Sequence, residues 1–136
     1  MIKEYSGEVN MDTEERRAQG EKLLNEMLGS EGAAKTRETW AGICPDFERY
    51  IMEFLAGEIW NRPGLDLRTR SLVTIAVLAA QGRTLGLDLN LKMAQQNGVS
   101  RQEIIEALLH IAPYAGFPAA WEALAAADRV LDADGG

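Results

Sequence analysis

The stretch Pro63–Pro118, PGLDLRTRSLVTIAVLAAQGRTLGLDLNLKMAQQNGVSRQEIIEALLHIAPYAGFP, decides the fold. It reads as three consecutive helices, each with its own punctuation. Leu72, Val73, Ile75, Ala76, Leu78 and Ala79 make the first apolar almost all round, the pattern of a helix buried in a core, and Gln81-Gly82 ends it. The second, roughly Leu85 to Gln96, stops at Asn97-Gly98, a common helix C-terminal signal. Ser100 followed by Glu103 is an S-x-x-E capping box, so a third helix starts there and carries Ile104, Ile105, Leu108 and Leu109 inward.

Upstream, Asp12 or Thr13 is positioned to cap a helix running TEERRAQGEKLLNEML, with Glu14 and Glu15 near its positive end. Leu23, Leu24, Met27 and Leu28 give it one apolar stripe, and Gly29-Ser30-Glu31-Gly32 breaks it. Ala33 to Trp40 is weakly helical and leads to Cys44-Pro45. Asp46 to Trp60 is a further helix, on which Phe47, Tyr50, Ile51, Phe54, Leu55 and Ile59 make a wide apolar face, and Asn61-Arg62-Pro63-Gly64 is a turn. Downstream, Phe117-Pro118 opens a last helix through Trp121, Leu124, Ala125 and Leu131. Residues 1–12 lack periodicity and read as a loose arm; residues 132–136 form a polar tail. Alternating β-branched or aromatic patterns are scarce, so the chain is expected to be all-α, a bundle of about six to seven helices in one domain, 1–136.

The bulk properties narrow the function. A net charge of −7 argues against a nucleic-acid partner, which needs a basic footprint. No apolar run is long enough to span a bilayer, and no signal-peptide core follows Met1, so a cytoplasmic protein away from membranes is expected. The single Cys44 offers neither a disulfide nor a metal-binding spacing; it reads as a small apolar residue near the core. No metal and no cofactor are expected. The alanines at 76, 79, 80, 119, 120, 123 and 125–127 allow close helix approach, and with the apolar last helix they point to self-association.

RPGLDLRTRSLVTIAVLAA and NGVSRQEIIEALLHIAPYAGFPAAWEA resemble the signature segments of the carboxymuconolactone decarboxylase family, which shares its fold with the alkylhydroperoxidase D-like proteins. The resemblance extends upstream through FLAGEIWNRPGLD and covers about the last 85 residues well. It implies an oligomer, either a trimer or a hexamer built as a trimer of dimers. Peroxidase-type relatives use a relay of Glu, two cysteines and His. Counted back from Asn97-Gly98, those places fall here on Ser71, Arg83, Gly86 and Asn90, and none matches. Peroxide reduction of that kind requires a thiolate, so that activity is not expected. Decarboxylase-type relatives usually carry His where this chain has Asn90, with Glu one turn before, where it has Leu85 and Gly86.

Several residues are candidates for a site. Asn90 can orient a substrate or a water but cannot exchange a proton near neutral pH. His110, the single histidine, occupies a family His position in LLHxAxYAG and lies four residues before Tyr114, hence on one helical face, with Pro113 between them to distort the turn. It suits a general acid/base or a hydrogen-bonding clamp; a structural His at a subunit interface is the alternative. Glu58 and Trp60 match an acidic residue–aliphatic–Trp segment of the family. Arg70 starts an apolar helix, where a cation is poorly placed, which points to a partner carboxylate, Glu58 or a substrate acid. Trp60, Leu85, Leu89, Met93 and Tyr114 are candidates to line an apolar pocket.

The expected function is a cofactor-independent lyase on a small cyclic or aromatic acid or lactone. Another proton-transfer step (isomerisation, cyclisation or dehydration) and a non-catalytic oligomeric binding protein are the alternatives.

Overall fold

Asp12 begins the first helix as its position in the sequence predicts. Its carboxylate accepts the Glu15 N–H at 2.8 Å, satisfying one of the free donors of the first turn. The computed structural model describes residues 12–134. The expected N-terminal arm therefore lies, apart from Asp12, outside the described residues, as do the last two residues of the polar tail. The described chain falls into two compact units, one ending at Leu65 and the other starting at Asp66. It is all-α, with no strand among the described residues.

In the first unit, α1 spans Thr13–Ile43 and is interrupted at Gly29, whose φ of 78° and ψ of 155° only glycine adopts readily. The expected break is there, but the chain resumes the helix and continues to Ile43. Next come α2, Pro45–Tyr50, and a π-helical segment, Ile51–Ile59. At the end of that segment the Trp60 N–H reaches back five residues to the Leu55 carbonyl, 3.0 Å away. The Asn61 amide then donates to the Ala56 and Gly57 carbonyls, which the wide turn would otherwise leave open. α1 and the π-helical segment meet at two glycines. A Cβ on Gly20 would collide with the Met52 carbonyl, and one on Gly57 with the Arg16 carbonyl.

The face this unit buries is not the one the aromatic spacing suggests. Glu48, Met52, Ala56, Gly57 and Trp60 are buried, whereas Phe47, Tyr50, Phe54 and Leu55 are exposed. Glu48 faces α1, where Arg17 donates to both its oxygens (2.8 and 3.1 Å) and Arg37 Nε to one (3.1 Å). Arg37 also pairs with Glu21 at 3.1 Å. Burial alone would raise the Glu48 carboxyl, but the two guanidinium hydrogen bonds outweigh it and hold it below the usual range. Cys44, expected near the core, is exposed at the junction of α1 and α2.

The second unit contains α3 (Leu67–Gln81), α4 (Thr84–Gln96), α5 (Arg101–His110), the single turn α6 (Ala112–Ala115) and α7 (Phe117–Val130). Both expected stops hold: Gly82 takes the left-handed conformation at φ 68°, and Gly98 lies at φ 93°. The Ser100–Glu103 capping box is complete in both directions. α3 is not buried all round. Ser71, Ile75 and Ala79 form its inward row, while Val73 and Val77 face out. The core combines Ile75, Leu87, Leu91, Ile104 and Leu108 with the α7 alanines Ala120, Ala123, Ala126 and Ala127. A fully buried side chain the size of Leu or Ile contributes about 1.5–3 kcal/mol, so this cluster, rather than the capping network, dominates the unit's stability.

Polar contacts then fix the helix ends. Ser71, buried on α3, accepts the Asn97 amide at 2.9 Å, tying α3 to the α4–α5 turn. Glu103 also pairs with Arg68 on α3. The start of the polar tail folds back: Asp134 accepts the Arg101 and Gln102 N–H groups at 2.6 and 2.9 Å, and Gln95 and Asp132 exchange two bonds.

Candidate functional site

Sequence places His110 and Tyr114 on one helical face, and the structure brings their rings together. His110 is the last residue of α5. Pro113, which lacks an N–H, sits in the first turn of α6, where none is needed. The Tyr114 and Ala115 N–H groups both donate to the Ile111 carbonyl, at 3.0 and 2.8 Å, so a further helical turn follows Ile111. The turn leaves the two rings 5.5 Å apart, centre to centre, and tilted by 43°. This is a favourable separation for aromatic contact. Both side chains are exposed.

Asn90 stands half-buried in the middle of α4, and its amide donates to the Gly86 carbonyl one turn back at 2.8 Å. That bond fixes the orientation of the amide. Arg70 is half-buried near the start of α3, where its N–H donates to the carbonyl of the N-cap Asp66. The Asp66 carboxyl is held below its usual range, first by the hydrogen bonds of Thr69, and so stays ionised opposite the helix N-terminus. Arg68, two residues before Arg70 on α3, pairs with Glu103. Glu58 and Trp60 belong to the first unit, Glu58 half-buried and Trp60 buried. Met93 is buried, Leu89 half-buried and Leu85 almost fully exposed.

Two open grooves lie among the described residues of the second unit. One, of about 420 Å³, lies between the end of α3, the start of α4 and α7, with a floor of Ala79, Leu87, Ala123 and Ala126 and a rim that includes Gln81, Glu122 and Arg129. The other, of about 450 Å³, is lined by Asp88, Leu89, Lys92, Arg129 and Val130. Arg129 grips Asp88 with two bonds, at 3.1 and 3.2 Å, and that hydrogen bonding raises its own proton affinity. Neither groove is lined by His110, Tyr114 or Asn90, though Leu89 lines the second. The alanine row was legible as close helix packing; it also leaves the first groove open, because a methyl group fills so little of the space beside it. Among the described residues there is no cluster of three or more His, Cys, Asp or Glu able to hold a metal, and no helix long and apolar enough to cross a membrane.

A model of the carboxymuconolactone decarboxylase family matches residues 45–129. The chain is 42% identical to a 4-carboxymuconolactone decarboxylase of Acinetobacter baylyi over 121 residues, covering 89% of this chain and 90% of that protein. It is 34% identical to a nitrosuccinic acid decarboxylase of Metarhizium robertsii over 114 residues, covering 84% of this chain and 80% of the relative. An uncharacterised protein of Paracoccus denitrificans is 31% identical over 90 residues, 65% of this chain and 67% of its own length.

Proposed function

The chain belongs to the carboxymuconolactone decarboxylase family, and from that premise we propose that it removes a carboxylate from a small cyclic or aromatic acid or lactone, with His110 handling the proton. The observation that carries this reading is the contact between the single imidazole of the chain and the Tyr114 ring. In such a reaction the bond from carbon to the carboxylate breaks and carbon dioxide leaves. The electron pair remains on carbon, spread into a carbonyl or comparable acceptor within the substrate, until that carbon takes up a proton. The protein must therefore hold an acid, deliver a proton to carbon and limit access of water.

Imidazole is the side chain suited to giving and regaining a proton near neutral pH. Tyr114 packs against the ring and orients it, and its phenol can bond a substrate oxygen. Asn90, held by Gly86, supplies a fixed polar contact in place of a second acid. Arg70 is a bidentate clamp for a substrate carboxylate. Both named decarboxylase relatives act on small acids, as their names state, and this supports the substrate class without choosing its member.

Turnover of 4-carboxymuconolactone by the purified protein, beside Asn90→His and His110→Ala, tests the reading. Activity in the unmodified chain, reduced about 100-fold or more in His110→Ala, is the expected result for loss of a general acid. Activity gained only in Asn90→His would mean that the scaffold serves a different acid. Undiminished activity in His110→Ala would remove His110 from the mechanism.

A further inference from the structure

The direction of the Asn90 amide is settled by chemistry. A backbone carbonyl only accepts, so the group facing the Gly86 oxygen at 2.8 Å is the amide nitrogen, and the side-chain oxygen points away from that turn. No described residue donates to this oxygen. Asn90 is half-buried, yet among the described residues no buried side-chain nitrogen or oxygen lacks a partner, so solvent reaches the oxygen. It is an acceptor held in one direction.

Asn90 lies on the seam between α3 and α4. At one end of the seam a side chain on Gly86 would meet the Leu78 methyl groups at 3.5 and 3.6 Å; at the other, Asn97 is bonded to Ser71. Asn90 comes one turn after Gly86 and two turns before Asn97, which puts it between those contacts, at the level of Thr74 on α3. Thr74 follows Ser71 by three residues and precedes Leu78 by four, so it shares their row. Its hydroxyl proton is committed in the same way, to the Arg70 carbonyl at 2.8 Å, and that oxygen too can only accept. A carboxylate placed here would face two oxygens. A hydroxyl is matched, since it donates to one oxygen and can accept the second N–H of the Asn90 amide.

We propose that Asn90, with Thr74 beside it, selects a hydroxyl, and that the preferred substrates are small ring acids that carry one. A ligand that covers the seam without a donor leaves a half-buried acceptor unpaired, which costs affinity. A lactone, whose ring oxygens only accept, is taken without that contact and more weakly. The inference names the substrate class of the site under the decarboxylase reading and rests on it for the reaction; the recognition can be measured without turnover.

The experiment is isothermal titration calorimetry of the full chain with the three hydroxybenzoate isomers and the three matching fluorobenzoates. Fluorine is close to the hydroxyl in size and carries no proton. The expected result is that at least one hydroxybenzoate binds about tenfold or more tighter than its fluoro counterpart. Asn90→Leu, similar in size and without the oxygen, should reduce that ratio to about twofold or less. Thr74→Val, of the same shape, is the second variant and should reduce it about threefold; circular dichroism checks the fold of both. An Asn90 that served structure alone would, when replaced, weaken both members of a pair alike and leave the ratio unmoved. Equal binding within every pair, binding of none of the six acids, or a ratio unchanged in both variants would overturn the proposal. Selection through Asn90 in a protein that decarboxylates no acid tried would leave the recognition standing and remove the decarboxylase reading alone. Turnover of 4-carboxymuconolactone without any selection would do the reverse.

Discussion

Individual residues divide here into those whose role follows from their neighbours in sequence and those whose role follows only from the fold. Ser71 is the clearest of the second kind. In the chain it is one hydroxyl in an apolar helix; in the structure it is buried and bonded to Asn97, 26 positions away. Asn97→Ala removes that partner and leaves a buried hydroxyl to be satisfied elsewhere. We expect a loss of about 1–2 kcal/mol in urea unfolding, and a loss below about 0.3 kcal/mol would show that the contact is replaceable. Cys44 makes the opposite case. Burial was the natural expectation for a lone thiol, but the chain has to change direction between α1 and α2 at that point, and the residue is exposed. Cys44→Ser is expected to change stability by less than about 0.5 kcal/mol, as surface substitutions do, and to leave turnover unchanged. A large fall in turnover would revive a thiol mechanism. His110 and Tyr114 were legible as a pair because spacing alone puts them on one side of the chain. The break between α5 and α6 at Ile111 was less so, since it depends on where Pro113 lands relative to the helix end.

At the scale of elements, starts and stops were readable because they are local chemistry. Asp12, Gly82, Gly98 and the Ser100–Glu103 box each act on backbone within a few residues. Which face of an element goes inward was read less well, because that depends on what packs against it. The run from Phe47 to Ile59 has its large side chains on one side, yet it buries Met52, Ala56 and Gly57, and at Gly57 α1 approaches too closely for any side chain. The two glycines at that crossing carry a sharp prediction. Gly57→Ala places a methyl group against the Arg16 and Met52 carbonyls, neither of which can rotate away as a side chain can. The expected cost is about 3 kcal/mol or more, at the top of the range for overpacking. Gly32→Ala is the matched control: its added carbon meets only the Leu28 side chain, at 3.6 Å, in the second half of α1. It is expected to stabilise by about 0.4–1 kcal/mol. Equal shifts in the two urea midpoints would show that the crossing relaxes freely and that the glycines there are incidental.

For the whole molecule, the sequence total of −7 conceals how unevenly charge is used. The second unit rests on an apolar cluster, with its ion pairs at helix ends and edges. The first unit places a carboxylate inside, at Glu48, between two arginines. No periodicity announces that arrangement, because an i, i+4 reading of α2 treats Glu48 as surface and Arg17 and Arg37 lie on another helix. It does set how the protein responds to acid. Glu48 is held below the ordinary glutamate range in the folded chain and titrates near about 4.3 when unfolded. Its stabilising contribution is therefore complete above that unfolded value and is lost as pH falls through the lower folded one. Glu48→Gln removes the charge at every pH and leaves the two guanidinium groups facing a neutral amide. Both arginines are partly solvated, so the cost at neutral pH is expected to be about 1–2 kcal/mol, less than for a fully enclosed pair. The variant's unfolding midpoint should also vary less with pH between about 5 and 3, a window set by that unfolded value. Hydrogen exchange locates the effect: acid should release amides of α1 and α2 in the unmodified chain before those of α3 and α5. If the two proteins lose stability in parallel across that range, Glu48 is not the group that links acid to unfolding, and the loss belongs to the diffuse charge of the surface.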